Sequence, residues 1–245
     1  SRGLGDVYKR QERGNIVKIG IIGAMELEVA TLKQELTQVT CREVAGMKFF
    51  DGMLEQTSVV VVQCGVGKVN AAMCVQILHD LFEVTHVINT GVAGGLNDKL
   101  DIGDILISNA ALQHDMNVEP LGYAPGQVPG LDTLSFPADD KMKQGAIASC
   151  ERVNQDIQVM EGLVVSGDQF IAEQAVRKHL IDTFHGDCAE MEGAAIAQAA
   201  YLNNLPFVII RAISDKADHS AQMDYPTFEK QAAYHLSLIH ISEPT

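Results

Sequence analysis

The stretch that decides the fold is KIGIIGA, residues 18–24, an isoleucine-rich apolar run that ends in glycine just before a helical segment. A strand covered by helices on both faces has a continuous apolar sequence of this kind, because neither face meets water. The run therefore predicts a buried parallel strand. It does not fit a secretory signal, since Lys18 interrupts the apolar stretch and no small-residue cleavage site follows.

Strand and helix patterns alternate along the rest of the chain. Strands are predicted as a pair within 47–64 around a turn at 55–58, and at 85–96 (running into a glycine-rich turn), 104–112, 160–168 and 206–215. Helices are predicted at 26–36, 66–82, 140–153 and 190–202, and from Tyr225 onward. This order predicts a single three-layer α/β/α domain with a mixed central sheet.

The two ends of the chain lack a hydrophobic period. Residues 1–15 (SRGLGDVYKRQERGN) include no initiator Met, and residues 237–245 (SLIHISEPT) interrupt a helical pattern. Both resemble translated cloning sequence, with a natural flexible terminus as the alternative. We therefore expect the domain to span residues 16–236, with a non-native tail on each side.

Charge and cysteine content narrow the classes of function. A formal net charge of −14 disfavours nucleic acid and anionic membranes as partners, because both are themselves negative. The five scattered cysteines form no Cys-x-x-Cys pair and the histidines show no zinc-type spacing, so we expect a cytoplasmic protein without metal or cofactor. No apolar run reaches the roughly 18 residues of a membrane helix. A small neutral or zwitterionic substrate remains.

Groups capable of acid–base chemistry follow several of the predicted strands. In α/β folds, ligands bind at the carboxyl ends of strands. The segments delivered there are GAMELE (23–28), CGVGK (64–68), TGVAGG (90–95), SGDQFI (166–171), ME (191–192) and RAISD (211–215). Three carboxylates, those of Glu28, Glu192 and Asp215, are thus expected on one rim. Singly, each has an ordinary explanation as a helix-dipole or capping residue, and His114 with Asp115 is predicted to be a polar turn without a catalytic role.

Nine segments along the chain share a pattern with a known family. They are GIIGAMELEV, QCGVGKVNAA, INTGVAGGL, GDILIS, HDMNV, GYAPGQVPG, VSGDQFI, AEMEGAAIA and VIIRAISDKAD. In this order they resemble the bacterial 5′-methylthioadenosine/S-adenosylhomocysteine nucleosidases of the purine nucleoside phosphorylase superfamily. The resemblance covers about residues 17–235. It implies a nucleoside phosphorylase-like fold and hydrolysis of the N-glycosidic bond of these two nucleosides, in methionine salvage and the activated methyl cycle.

The resemblance also implies roles for individual residues. Glu28 would be the base that activates water, and Asp215 the acid that protonates N7 of adenine. The other implied contacts are Ser214 beside the acid, Arg211 supporting the acidic cluster, Met191 and Glu192 on the ribose, Phe170 stacking on the purine, the Ile171 backbone on the base edge, Gly94 at the ribose–base site, Met25 and Val66 against the sugar or thio group, and Tyr225 closing the thio side. Val118, Leu121 and Pro129 fall where the family completes the pocket from a partner subunit, which implies a homodimer.

Two departures from the family pattern stand out. Val92 occupies a position where many relatives have Ser, which removes a hydroxyl contact. The long C-terminal helix of the family is cut at about His235 by the second tail.

Three other functions remain as alternatives. A phosphorylase would use phosphate in place of water, and it needs cationic side chains at the glycine turns. The first glycine turn is followed by two acidic residues, Glu26 and Glu28. Lys68 is the one candidate cation. A non-catalytic relative would be expected to lack Glu28 or Asp215. A Rossmann oxidoreductase would carry the fingerprint G-x-G-x-x-G, which is missing.

Overall fold

The computed structural model describes residues 17–153 and 156–218. Its strands are β1 (Lys18–Gly23), β2 (Thr37–Val44), β3 (Met47–Leu54), β4 (Thr57–Gln63), β5 (His86–Gly95), β6 (Ile105–Gln113), β7 (Phe136–Pro137), β8 (Val159–Ser166), β9 (Cys188–Glu190) and β10 (Phe207–Asp215). Its helices are α1 (Glu26–Glu35), α2 (Lys68–Phe82), α3 (Asp140–Val153), α4 (Gln174–Phe184) and α5 (Gly193–Leu202), with a 3₁₀ turn at Glu119–Leu121. The two predicted tails and the predicted helix from Tyr225 lie outside the described residues.

The strands form one mixed sheet, as predicted. Their order is β10-β6-β8-β9-β5-β1-β4-β3-β2, with β7 paired to β6. The first strand, β1, lies between β4 and β5 and is parallel to both. Because β10 also pairs with β5, the strands β5, β10, β6, β8 and β9 close into a ring.

The side chains of β1 alternate between two layers of helices. Ile22 belongs to an apolar cluster that includes the buried residues of α2 and α5. Ile19 and Ile21 belong to a second cluster, with the buried residues of α1 and α3. Burial of each large aliphatic side chain contributes about 1.5–3 kcal/mol. The apolar run at 18–24 is therefore the middle layer of the predicted three-layer domain.

Several local predictions were wrong. The glycine-rich end of the segment 85–96 is strand up to Gly95 and not a turn, and the helix predicted from Glu190 begins at Gly193, because β9 precedes it. Four elements, β2, β7, α4 and β9, were not predicted. Most of β2 is exposed, α4 buries little more than Leu180 and Phe184, and β7 and β9 have only two and three residues, so none has a strong apolar pattern.

No helix in the described part of the chain combines the length and apolarity that a bilayer crossing requires.

Candidate active site

A cavity opens at the carboxyl ends of the central strands, where the sequence predicted a site. Its walls are Ala24, Met25, Glu28, Val66, Val92, Ala93, Gly94, Gln169, Phe170, Ile171, Ala189, Glu190, Met191, Glu192, Ser214, Asp215 and Ala217. All predicted substrate and catalytic residues are among them except Arg211, which is buried outside the wall, and Tyr225, which lies outside the described residues. The fold thus brings together segments that are almost 200 positions apart in the chain.

Glu28 is buried in the first turn of α1, where three backbone N–H groups bind its carboxylate. Ala24 and Met25 donate to Oε2 at 2.6 and 2.9 Å, and Val92 donates to Oε1 at 3.2 Å. Burial raises the pKa of Glu28, although Arg211 and these N–H groups act in the opposite direction. A carboxylate with a raised pKa is a better proton acceptor, which suits a general base.

Asp215 ends β10 and is 3% exposed. Its Oδ1 accepts the N–H of Ala217 at 2.8 Å, and its Oδ2 accepts the hydroxyl of Ser214 at 2.9 Å. The register of β10 against β5 shifts between Ile213 and Asp215. Irregularities of this kind redirect a side chain, and here the Asp215 side chain lies in the cavity wall, in reach of a bound ligand.

An ion pair lies beneath the carboxylates of the cavity. Arg211, 2% exposed, donates from Nη2 to Oε2 of Glu190 at 2.5 Å and also to the side chain of Asn89. The Glu190 carboxylate accepts the backbone N–H of Gly193 at 2.8 Å and the hydroxyl of Ser166. A buried charge needs a partner with hydrogen bonds, and Arg211 and Glu190 are such partners for each other. The role of Arg211 in supporting the predicted cluster of Glu28, Glu192 and Asp215 stays a prediction.

Glu192 occupies the N-cap position of α5 without a side-chain capping hydrogen bond, and it lines the cavity. Its Oε1 accepts the backbone N–H of Gly67 at 2.8 Å. Burial, together with the nearby carboxylates of Glu190 and Glu28, raises the pKa of Glu192 to about 7. Its Oε2 accepts no hydrogen bond from the described residues and is available to a ligand hydroxyl.

Apolar side chains form the outer part of the cavity. Phe170 and Val66 are each about half exposed (51% and 50%), while Ile171 is buried behind them. Apolar and aromatic walls with a few fixed polar groups are typical of small-molecule sites. The cavity therefore combines a carboxylate floor with an apolar mouth.

Lys68 lies outside the cavity wall. Its Nζ is 2.6 Å from Oδ1 of Asp115 and 3.0 Å from Oε1 of Gln113. His114 and Asp115 form the predicted turn and do not line the cavity, although His114 is buried and its pKa is lowered, chiefly by that burial. The only cation that the sequence offered for phosphate is thus occupied by an ion pair.

The three residues predicted to serve a partner subunit lie away from their own chain's cavity. Leu121 is 74% exposed, Pro129 is exposed and Val118 is partly exposed. In the described residues, no group of three or more His, Cys, Asp or Glu side chains has an arrangement that would hold a metal ion.

Glu190, Ser166 and Asn89 are the residues that the sequence analysis missed. Glu190 stands two positions before Glu192 in the run AEMEG, so a second carboxylate was visible in the sequence. Its pairing with Arg211 joins positions 21 apart and depends on β9 and β10 being near each other, which sequence spacing alone does not reveal.

The fold and this carboxylate-lined cavity define a member of the phosphorylase superfamily, whose family model matches residues 18–240. The 5′-methylthioadenosine/S-adenosylhomocysteine nucleosidase of Anoxybacillus flavithermus is 43% identical over 225 residues, which cover 90% of this chain and 95% of that protein. The chain therefore belongs to the family of 5′-methylthioadenosine/S-adenosylhomocysteine nucleosidases.

Two solved structures are similar over almost the whole chain. The nucleosidase of Neisseria meningitidis in complex with methylthio-immucillin-A has a TM-score of 0.88 and 36% identity, covering 91% of this chain and 96% of that one. The nucleosidase of Colwellia psychrerythraea in complex with adenine has a TM-score of 0.87 and 38% identity, covering 92% and 95%.

Proposed function

We propose that the protein hydrolyses the N-glycosidic bond of 5′-methylthioadenosine and S-adenosylhomocysteine, releasing adenine and the thio-ribose. The observation that carries this proposal is the presence of two buried carboxylates, Glu28 and Asp215, in the wall of one cavity. Glycoside hydrolysis uses such a pair, one as acid and one as base. The membership of the chain in the nucleosidase family supports the same reaction.

Asp215 is the proposed acid. Adenine leaves readily when N7 carries a proton, because the ring then accepts the electron pair of the breaking C–N bond without becoming an anion. Asp215 is held by Ser214 and Ala217, so its carboxyl group has a fixed direction before the ligand arrives. Such preorganisation lowers the cost of reaching the transition state.

Glu192 is the proposed ribose ligand. The ribose becomes positively charged as the C–N bond breaks, and a nearby carboxylate stabilises that charge. Oε1 of Glu192 is fixed by Gly67, so Oε2 can accept the ribose hydroxyls. Met191 packs beside the sugar in this arrangement.

Glu28 is the proposed base. It takes a proton from water, the resulting hydroxide adds to C1′ of the ribose, and the proton from Asp215 leaves on adenine. Glu28 then loses its proton to solvent and Asp215 takes one up, so that over the whole cycle one water molecule is divided between the two products. General acid and general base catalysis each contribute about 10²–10⁴-fold.

The apolar mouth is the proposed site for the base and the thio group. Phe170 stacks on the purine, the Ile171 backbone binds the base edge, and Gly94 leaves room beside the sugar. Met25 and Val66 face the thio substituent, which is itself apolar.

Phosphorolysis is the alternative that the site disfavours. None of the residues lining the described cavity is Lys or Arg, so the wall offers no cation for a phosphate dianion. An ionised carboxylate in the wall, such as the proposed base Glu28, would repel that dianion. Lys68 is held by Asp115. Water is therefore the nucleophile that this cavity accepts.

The proposal extends to the assembly and the cellular role of the protein. We assign the protein to the cytoplasm as a homodimer in which Val118, Leu121 and Pro129 of one copy complete the cavity of the other. Support comes from the exposure of Leu121 and from the half-exposed Phe170 and Val66 at the mouth, which a partner would cover. The reaction would serve methionine salvage by clearing methylthioadenosine.

The deciding experiment measures adenine release from methylthioadenosine, S-adenosylhomocysteine and futalosine, each with and without phosphate. Equal rates in both buffers, with free thio-ribose as the second product, are expected for the first two nucleosides. A requirement for phosphate with a sugar 1-phosphate as product would overturn the hydrolytic assignment.

A further inference from the structure

One arginine outside the cavity ties together the ends of two strands that carry the site. Arg177 lies on α4, and its side chain is 11% exposed. Its Nε donates to the carbonyl of Lys216 at 3.0 Å, just after β10, and its Nη2 donates to the carbonyl of Leu96 at 2.8 Å, just after β5. Nη2 also reaches Oδ1 of Asp98 at 2.9 Å.

The contact with Lys216 is one peptide group away from Asp215. The carbonyl of Lys216 and the N–H of Ala217 belong to the same peptide, and that N–H donates to Oδ1 of Asp215 at 2.8 Å. Arg177 therefore binds the carbonyl oxygen of the same peptide group whose N–H binds the Asp215 carboxylate.

The segment after Asp215 depends on side-chain contacts for its conformation. Strand β10 ends at Asp215, so no further strand pairing fixes Lys216. Ala217 has φ of 52°, in the left-handed region that residues other than glycine rarely adopt. The Lys216 side chain binds the carbonyl of Leu100 and the carboxylate of Asp101, whereas the carbonyl of the 216–217 peptide itself accepts the hydrogen bond of Arg177.

We propose that Arg177 is a positioning residue for Asp215: it orients the 216–217 peptide, and through it the carboxyl group that protonates the leaving base. The inference rests on the proposed function, in which Asp215 is the acid. It assigns no contact between Arg177 and substrate. Its effect is on the direction of one carboxyl group.

A purely structural role would have different consequences. Helix α4 also contributes Leu180 to an apolar cluster that contains Ile171 and Ala217. If Arg177 acted only by keeping α4 in place, its loss would loosen the base-binding wall and slow every substrate alike. A positioning role for the acid predicts a loss confined to leaving groups that need a proton.

The test compares Arg177→Met with wild type on two substrates. One is methylthioadenosine, and the other is the 5-methylthioriboside of 4-nitrophenol, whose leaving group departs without protonation. Arg177→Met keeps the aliphatic stem. On methylthioadenosine we expect kcat to fall about 10- to 100-fold, the range for a misplaced catalytic group, with KM changed less than about 3-fold. On the nitrophenyl substrate the variant should stay close to wild type.

Two controls separate the carbonyl contacts from charge effects. Lys178→Met removes the neighbouring charge on the same helix, where Lys178 pairs with Asp182 at the surface. Asp98→Asn weakens the ion pair of Arg177 and leaves its carbonyl contacts in place. Both should match wild type on both substrates. An Asp98→Asn variant as slow as Arg177→Met would overturn the proposal, because the ion pair would then be the important contact.

The remaining outcomes are equally decisive. Wild-type kcat in Arg177→Met, or an equal loss on both substrates, would overturn the positioning role. If Arg177→Met does not yield folded protein, Arg177→Lys is the second variant, because it keeps a cation able to reach one carbonyl. Its loss of kcat should be smaller and again confined to methylthioadenosine. Wild-type rates of Arg177→Lys on both substrates would overturn the proposal. A wild-type enzyme that releases no adenine would instead refute the proposed function, which the wild-type assay reveals before any variant is made.

Discussion

Gly94 lies directly against the carboxylate of Asp215 in the cavity wall: a β-carbon at this glycine would stand 2.9 Å from Oδ1 of Asp215. It would also stand 2.8 Å from Cβ of Ala217. Gly94 is in a strand and has no turn to make. Its value is the absence of a side chain, which allows two strand ends to approach and leaves Asp215 in the cavity wall.

Replacement of Gly94 by alanine should therefore displace Asp215. We expect Gly94→Ala to lower kcat on methylthioadenosine by about 10-fold or more, because a shift near 1 Å in a catalytic group can cost about 10²-fold. Steady-state kinetics of adenine release measure this. Gly145→Ala, on α3 with nothing within 4 Å of the added carbon, is the matched control and should keep the wild-type rate. An active Gly94→Ala variant would show that Asp215 tolerates displacement.

The two proposed catalytic carboxylates should be separable by substrate. Asp215→Asn keeps the shape but delivers no proton, and Glu28→Gln keeps the shape but accepts none. Both should reduce turnover of methylthioadenosine by about 10²-fold or more, with binding affected less. On an activated nitrophenyl riboside, Asp215→Asn should recover most of its rate and Glu28→Gln should stay impaired. Identical responses of the two variants would require the acid and base assignments to be withdrawn.

Glu192 should make stability depend on pH. Its pKa is raised from 4.5 to about 7 in the folded protein, so between these values the folded state holds a proton that the unfolded chain releases. The free energy of unfolding should then fall as pH rises from 4.5 to 7, by roughly 1–3 kcal/mol from this group. Urea denaturation at pH 5 and pH 7.5 measures the change.

Glu192→Gln is the comparison for that measurement. It cannot ionise, so its loss of stability over the same pH interval should be smaller than that of wild type. Parallel pH profiles for the two proteins would contradict the raised pKa. The variant should also bind the ribose more weakly, because an amide is a poorer acceptor than a carboxylate.

The proposed homodimer should depend on Leu121. Because Leu121 is 74% exposed, a charge there should cost a single chain little, but it would be costly in an apolar interface. We expect wild type to scatter light as a dimer and Leu121→Asp to be monomeric with a higher KM. Circular dichroism checks that the variant is folded. A wild type that is active as a monomer would refute the completion of the cavity by a partner.

The elements with strong apolar patterns were predictable from the sequence. β1, α2, α3 and β10 lie close to their predicted positions, because each buries a full face or both faces. β2 was not predictable in this way, since its residues are almost all exposed and the strand is held by pairing with β3. Its pairing partner is visible only in three dimensions.

The glycines at 91–95 illustrate why part of the candidate site could not be predicted from the sequence. The run at 91–95 was interpreted as a turn, the usual reason for clustered glycines. In the structure it is strand, and a β-carbon at Gly91 would stand 2.7 Å from Oε1 of Glu28. Clustered glycines occur both where the backbone turns tightly and where another side chain approaches it closely, so the sequence pattern does not distinguish the two. Glu190 and Arg177 were missed for a related reason, since their partners are distant in the chain.

The closed ring of strands has a consequence for how the protein is made. Strand β5 pairs with β10 over residues 87–94, and β10 is the last strand of the described chain to be synthesised. A nascent chain that ends before residue 207 has β5 with an open edge on that side and lacks both Arg211 and Asp215. Pairing over such a sequence distance is intrinsically slow, and an open edge invites association with other chains. Closure of the ring of strands and acquisition of Asp215, the proposed acid, both require β10. We therefore expect a ribosome-bound fragment that ends before β10 to contain Glu28, the proposed base, but not to turn over the substrate.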